Sequence, residues 1–223
     1  MKKYLSKGFT LVELLIVIAL LGIIATIVIA AINPIEQANR ASDAGMKADA
    51  SQIVSAIQRY YVSHSAFPWN SSACTTNGGT QCLDGVGQGP DDAFPFLSAD
   101  DASVGVCGAN GTSCRTTANS GELIASLELQ KTFLNKNWVG PTSTQAKLFV
   151  GKAQGASAAV YVCWSPKSNS NRQVLIASAA SNTNKMFDTT QALTASGVPA
   201  AGACTAVNDA GWTTGACSEC VPE

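Results

Sequence analysis

Eight cysteines are the residues of this sequence best suited to chemistry, and all of them follow its long N-terminal apolar segment. An even number of cysteines is typical of an exported chain that is stabilised by disulfides. Zinc is the alternative, because Cys217 and Cys220 form a C-x-x-C pair. A four-cysteine zinc site needs a second such pair, which the sequence lacks, and a thioredoxin-like pair opens a helix instead of standing near the last residue. The sequence therefore predicts disulfides among Cys74, Cys82, Cys107, Cys114, Cys163, Cys204, Cys217 and Cys220.

The spacing of the first four cysteines favours two local bridges, because short loops close easily. The last four cysteines allow three pairings, and the sequence does not choose among them. Our working assignment is Cys74 with Cys82, Cys107 with Cys114, Cys163 with Cys204, and Cys217 with Cys220.

Other reactive residues form no recognisable site. His64 is the single histidine, near the end of an amphipathic segment, where the dipole of a helix C-terminus would favour it. The sequence has no G-x-S-x-G, H-E-x-x-H or phosphate-binding glycine pattern. Four aspartates lack the spacing of an EF-hand, and a solvated acidic loop explains them better than calcium does: Asp91, Asp92, Asp100 and Asp101. We predict no enzyme, no cofactor and no metal site.

The N-terminal apolar segment contains one acidic residue that needs an explanation. Residues Leu14–Ile32 have no charge and no proline, which is about enough helix to cross a hydrocarbon core of roughly 30 Å. Glu13 stands at the start of this run, and Lys2, Lys3 and Lys7 precede it. A carboxylate in a spanning helix costs on the order of 3 kcal/mol on insertion scales, so it usually marks a function or a partner.

The run K-G-F-T-L-V-E, followed by an apolar helix, resembles the class III signal of type IV pilins and of the pseudopilins of type II secretion. The resemblance implies that prepilin peptidase cleaves between Gly8 and Phe9 and then methylates the new amine of Phe9. It also identifies Glu13 as the family's acidic residue, which acts in assembly. An ordinary secretory signal has a shorter apolar core and is cut after it, and an ordinary anchor has no use for Glu13.

A second helical segment follows the apolar one. Apolar residues recur at spacings of three and four and predict an amphipathic helix over residues Ile35–Ser63. Pro34 either ends the first helix at Ile32 or bends it, and the amphipathic pattern favours a bent continuation that resembles the spine of pilins. The turn Ser65-Ala66-Phe67-Pro68 should end this helix.

The rest of the chain predicts an α+β head, in which an antiparallel sheet packs on the amphipathic half of the spine helix and the loops are rich in disulfides. Residues Glu122–Asn137 should form a helix that stops at Gly140-Pro141. Three strands are expected, the last two forming a hairpin: residues Lys147–Gly151, Ala158–Trp164 and Val174–Ser178.

Charge and composition set the location and exclude some partners. The chain of 223 residues has a formal net charge of −1, which becomes −4 once the three lysines of the leader are removed. This charge argues against nucleic acid as a partner. The basic leader should remain in the cytoplasm, which places the head outside it.

These observations predict a structural subunit of a type IV pilus-like filament, organised as residues 1–8 (leader), 9–32 (transmembrane and filament-core helix), 33–64 (amphipathic half of the spine) and 65–223 (head). The expected partners are membrane lipid before assembly, prepilin peptidase, an inner-membrane assembly platform and other pilin subunits. A type II secretion pseudopilin or minor pilin is the alternative, and a membrane-tethered binding protein or enzyme is the second. The subunit should wait in the inner membrane and end in an extracellular pilus or a periplasmic pseudopilus.

Overall fold

The computed structural model describes residues 8–70, 93–108, 114, 120–140, 143–155, 158–180, 185–191 and 200–222. The predicted bridge between Cys74 and Cys82 lies outside these residues, as do Asp91 and Asp92. The chain divides into two compact units, Met1–Ala38 and Asn39–Glu223.

The N-terminal unit contains helix α1, Leu11–Ala31, and the start of helix α2, Pro34–His64. The continuous helix that we expected is therefore two helices. Ile32 has extended backbone (φ −99°, ψ 108°), and a residue before proline disfavours the helical region. Proline is well suited to open the next helix, since its missing N–H has no partner there in any case. The Asn33 side chain caps α2 by accepting a hydrogen bond from the Glu36 N–H at 3.2 Å.

Within the second unit, α2 is amphipathic as predicted. Its buried face includes Ile53, Ile57 and Tyr60, which belong to the main hydrophobic core together with residues of the sheet. The helix ends at His64, and Ser65 adopts a positive φ of 54°. Four aromatic rings then stack in sequence with centroid separations of 4.5, 4.9 and 4.2 Å: Tyr61, Phe67, Trp69 and Phe94.

The main sheet has four antiparallel strands, in the spatial order Phe94–Ser98, Leu148–Lys152, Val160–Trp164 and Glu219–Val221. The predicted strands over Lys147–Gly151 and Ala158–Trp164 are confirmed within two residues. The strands are β1 (Phe94–Ser98), β2 (Leu148–Lys152), β3 (Val160–Trp164) and β6 (Glu219–Val221), and a second sheet pairs β4 (Phe187–Asp188) with β5 (Ala200–Ala201).

The helix expected over Glu122–Asn137 is wrong over most of its length. Helix α3 covers only Glu122–Ala125, and a 3-10 helix occupies Lys131–Asn135. Between them Leu127 lies in the left-handed region (φ 64°), which a continuing helix does not allow. This turn lets two separate apolar pairs enter the core: Leu123 and Ile124, then Phe133 and Leu134.

The expected third strand and its hairpin are also wrong, because Val174–Ser178 lies inside helix α4, Asn169–Ala180. The carboxylate of Asp43, on α2, accepts hydrogen bonds from the N–H groups of Lys167 and Ser168 at 2.8 and 2.9 Å, and from the Asn171 amide at 3.0 Å. A side chain more than 100 positions away in sequence thus binds the two residues just before this helix, while Ser168 Oγ accepts from the first-turn Asn171 N–H at 3.2 Å. The burial of Leu175, beside the exposed Val174, completes the helical pattern.

Three disulfides lie among the described residues. Cys107 is joined to Cys114, as predicted, whereas our assignment of the last four cysteines is wrong: Cys163 pairs with Cys220, and Cys204 with Cys217. The reason lies in the sheet, where β6 runs beside β3 and places Cys220 opposite Cys163. Cys204 and Cys217 instead belong to a second hydrophobic cluster with Trp212, on the short helix α5 (Gly211–Thr214).

Removing Cys163 with Cys220 should destabilise the head more than removing Cys107 with Cys114. The first pair joins residues 57 apart and the second joins residues 7 apart, which corresponds to about 4 and about 2 kcal/mol in the loop-entropy model. Urea unfolding of the two double-alanine variants, followed by tryptophan fluorescence, measures the difference. Peptide mapping without reductant verifies the pairs, and a larger loss from the shorter loop would contradict this account.

Candidate processing and assembly segment

The junction between Gly8 and Phe9 lies outside regular secondary structure, two residues before the first residue of α1. Both residues are exposed, with 79% of the Phe9 surface accessible. A Cβ atom added to Gly8 would meet no other atom within 4 Å, and its backbone is not in the left-handed region. The fold itself therefore does not require glycine at position 8, and a need for glycine would have to come from a partner.

Thr10 and Glu13 form a capping box at the start of α1. The Glu13 N–H donates to Thr10 Oγ1 at 3.2 Å, while the Glu13 carboxylate accepts from the Thr10 N–H at 2.9 Å and from its hydroxyl at 2.8 Å. Thr10 has extended backbone (φ −82°, ψ 150°), as an N-cap residue should. Two N–H groups that lack helical partners are thereby satisfied, and the Glu13 carboxylate also complements the helix dipole.

The helix that follows is apolar on every face. Its large side chains remain exposed by 45–79%. Among the described residues, one helix is long and apolar enough to cross a membrane, over Leu11–Ile29. A helix without a polar face has no preferred side to turn toward water, so this segment fits membrane anchoring.

The other candidate residues lie in the head and do not converge on one site. Cys107, Cys114, Cys163, Cys204, Cys217 and Cys220 are bonded in the three bridges. The Asp100 carboxylate accepts a hydrogen bond from the Gly140 N–H at 2.9 Å and forms an ion pair with Lys147 at 3.6 Å. The Asp101 carboxylate caps a 3-10 turn by accepting from the Ser103 N–H. Within the described part of the chain, His, Cys, Asp and Glu form no group of three or more that could hold a metal ion.

Comparison with protein families matches residues 4–29 to the prokaryotic N-terminal methylation motif. The match spans the junction, the capping box and most of the apolar helix. The chain carries a class III prepilin-like signal, that of the type IV pilin and pseudopilin family. No match was found among curated proteins or solved structures. The prepilin signal thus supports a pilin-like or pseudopilin-like prepilin, and members of that family are structural subunits and not enzymes.

Sequence reasoning named Gly8, Phe9 and Glu13 in this prepilin signal but overlooked Thr10. The pattern that identifies it is T-x-x-E before an apolar run, which is the signature of a capping box. The resemblance implies a role for Glu13 alone, whereas the structure shows that Thr10, three positions earlier, donates hydrogen bonds to its carboxylate.

An acidic residue should be tolerated near the start of α1 but not at its centre. Leu20→Asp places a charge in the middle of Leu11–Ile29, which costs about 3 kcal/mol on insertion scales, or about a hundredfold in the equilibrium constant for insertion. Val12→Asp, beside Glu13, is the matched control, because the first turn lies close to the head groups. Alkaline extraction of membranes from cells that express each variant measures insertion, and equal extraction of both would contradict the membrane assignment.

Proposed function

We propose that this protein is a structural subunit of a type IV pilus-like filament, which is cleaved between Gly8 and Phe9, methylated at Phe9 and assembled through α1. The observation that carries the proposal is the methylation motif over residues 4–29, placed on a helix whose apolar side chains remain exposed. In this proposal residues 1–8 are the leader, 9–32 the anchor and filament core, 33–64 the amphipathic half of the spine and 65–223 the head.

The exposed α1 helix explains why assembly would accompany extraction from the membrane. Lipid tails are as apolar as leucine, so no hydrophobic force drives two such helices together inside the bilayer. Outside the bilayer the same side chains would face water, and each Val, Leu or Ile that a neighbour covers contributes roughly 1.5–3 kcal/mol. A contact repeated from subunit to subunit without closing on itself generates a filament. The assembly platform in the inner membrane would supply the extraction step.

The head suits the outside of such a filament. It is closed by disulfides, which persist in oxidising compartments beyond the cytoplasm. The three lysines of the leader favour the orientation that sends the head there. These features support a location in the inner membrane before assembly and outside the cytoplasm after it.

Glu13 would act in assembly by pairing with the methylated Phe9 amine of a neighbouring subunit. The pair neutralises two charges in an apolar core, and removing one partner of a buried pair typically costs about 3–5 kcal/mol. The capping box gives the same carboxylate a role inside its own chain, because it accepts from Thr10 at 2.9 and 2.8 Å. The two roles differ in whether the negative charge is needed.

The proposed function is tested by shearing cells that express the protein and examining the released material. We expect a released protein that begins at Phe9 with an N-methyl group in its intact mass, and no release from cells without prepilin peptidase. A tethered binding protein or enzyme would stay with the membrane. A pseudopilin at its normal expression level would be processed in the same way but would not be released by shearing, which would contradict the pilus and leave the prepilin signal in place.

The charge of Glu13 should matter more than its capping ability. Glu13→Gln keeps an N3 acceptor that suits a capping box, whereas Glu13→Val removes both acceptor and charge. If the carboxylate pairs with a neighbour's amine, both variants insert and are cleaved but assemble poorly, because both leave that amine without a counter-charge. Filament yield and helical rise, measured by electron microscopy of the sheared fraction, distinguish the roles. Normal filaments from Glu13→Gln would reduce Glu13 to a helix cap.

A further inference from the structure

We propose that Thr10 is a positioning residue for proteolytic maturation, because its capping box makes α1 begin at Leu11 and keeps the peptide bond between Gly8 and Phe9 outside the helix. This inference rests on the proposed function, since it concerns cleavage at that junction. Its evidence is the geometry of Thr10 and Glu13.

Hydrolysis of this bond requires access to the carbonyl group of Gly8. If α1 began two residues earlier, at Phe9, the Val12 N–H would donate to the Gly8 carbonyl and the Glu13 N–H to the Phe9 carbonyl, following the helical pattern from each residue to the fourth before it. The scissile carbonyl would then be turned along the helix axis and engaged as an acceptor. A peptidase would have to unwind that turn before it could act.

The capping box removes a donor that such an extended helix needs. The Glu13 N–H donates to Thr10 Oγ1 at 3.2 Å instead of to the Phe9 carbonyl. The first helical backbone bond is from the Leu14 N–H to the Thr10 carbonyl, at 3.3 Å. The Glu13 carboxylate holds the Thr10 N–H at 2.9 Å, which stabilises the extended backbone at Thr10 (ψ 150°).

The surroundings of the junction agree with this role. The backbone from Gly8 to Thr10 is in neither helix nor strand, and all three residues are exposed. The first N–H groups of a helix have no partner inside the helix. Without the cap, continuing the helix toward the leader would give the Val12 and Glu13 N–H groups backbone acceptors, and this would enclose the Gly8 carbonyl. The threonine therefore sets the boundary between a helical anchor and an accessible cleavage site.

Two variants of Thr10 separate capping from side-chain shape. Thr10→Val has the shape of threonine without the oxygen that accepts from Glu13, whereas Thr10→Asn has a different shape but is a good N-cap. Full-length precursor in detergent micelles is incubated with membranes that contain prepilin peptidase, and loss of residues 1–8 is followed by intact mass. Initial rates over a range of precursor concentrations give KM and kcat separately.

We expect Thr10→Val to raise KM about fivefold with kcat within twofold of wild type, because only the fraction of precursor with an open junction can bind. Thr10→Asn should be cleaved with the KM of wild type within twofold. Hydrogen exchange at the Val12 amide provides the structural readout: it should gain protection in Thr10→Val, where the extended helix gives it the Gly8 carbonyl as acceptor, and should not gain it in Thr10→Asn.

The outcomes distinguish this inference from the proposed function. Wild-type precursor that is cut at Gly8-Phe9, together with Thr10→Val cut at an unchanged KM, would overturn the inference and leave the proposed function standing. A slow Thr10→Asn without added protection at the Val12 amide would also overturn it, because the junction would be open and the peptidase would then recognise the shape of threonine. Wild-type precursor that is never cut at this junction would overturn both.

Discussion

Two buried carboxylates on α2 hold distant segments of the head in place. Asp43 and Asp49 are 3% and 7% exposed, and a carboxylate removed from water needs hydrogen-bond donors or it is very costly. Asp43 obtains its donors from the two residues just before α4 and from Asn171 in its first turn. Asp49 obtains them from Lys136 at 2.7 Å and the Trp138 indole at 3.0 Å. Burial of the apolar face of α2 drives folding, but the hydrophobic effect does not select which apolar segment covers that face. The carboxylates determine which segments cover it.

Helix α1 meets the same physical requirement by local means. Its first N–H groups are satisfied by Thr10 and Glu13, three positions apart in sequence. Its side chains need no polar partners, and they remain exposed. A helix that completes its own hydrogen bonds can move between lipid and a protein interior without rearranging its ends. The two helices therefore differ: α2 depends on distant partners in one fold, whereas α1 is suited to a change of surroundings.

The parts of this structure that local pattern determines could be predicted from the sequence. The apolar run, the amphipathic spacing of α2 and the strands around Phe149 and Val162 depend on neighbours in the chain, and the prepilin signal is contiguous. The segment Val174–Ser178 was wrongly predicted to be a strand, because its local pattern does not show that Asp43 of α2 binds the residues just before α4. The pairing of the last four cysteines could not be predicted for the same reason. The register of β3 with β6 places Cys163 opposite Cys220, which leaves Cys204 to pair with Cys217.

If the head is exported as proposed, the position of β6 has a consequence for the order in which the head is completed. A chain that crosses a membrane from its N-terminus delivers β2 and β3 before the residues that finish their sheet. Cys163 and Cys204 must then wait as thiols until Cys220 and Cys217 arrive. During that interval each can react with the wrong partner, so an oxidoreductase that reshuffles bridges would serve this protein better than one that only forms them. The bridges of the head can therefore be completed only after Cys220 has been translocated.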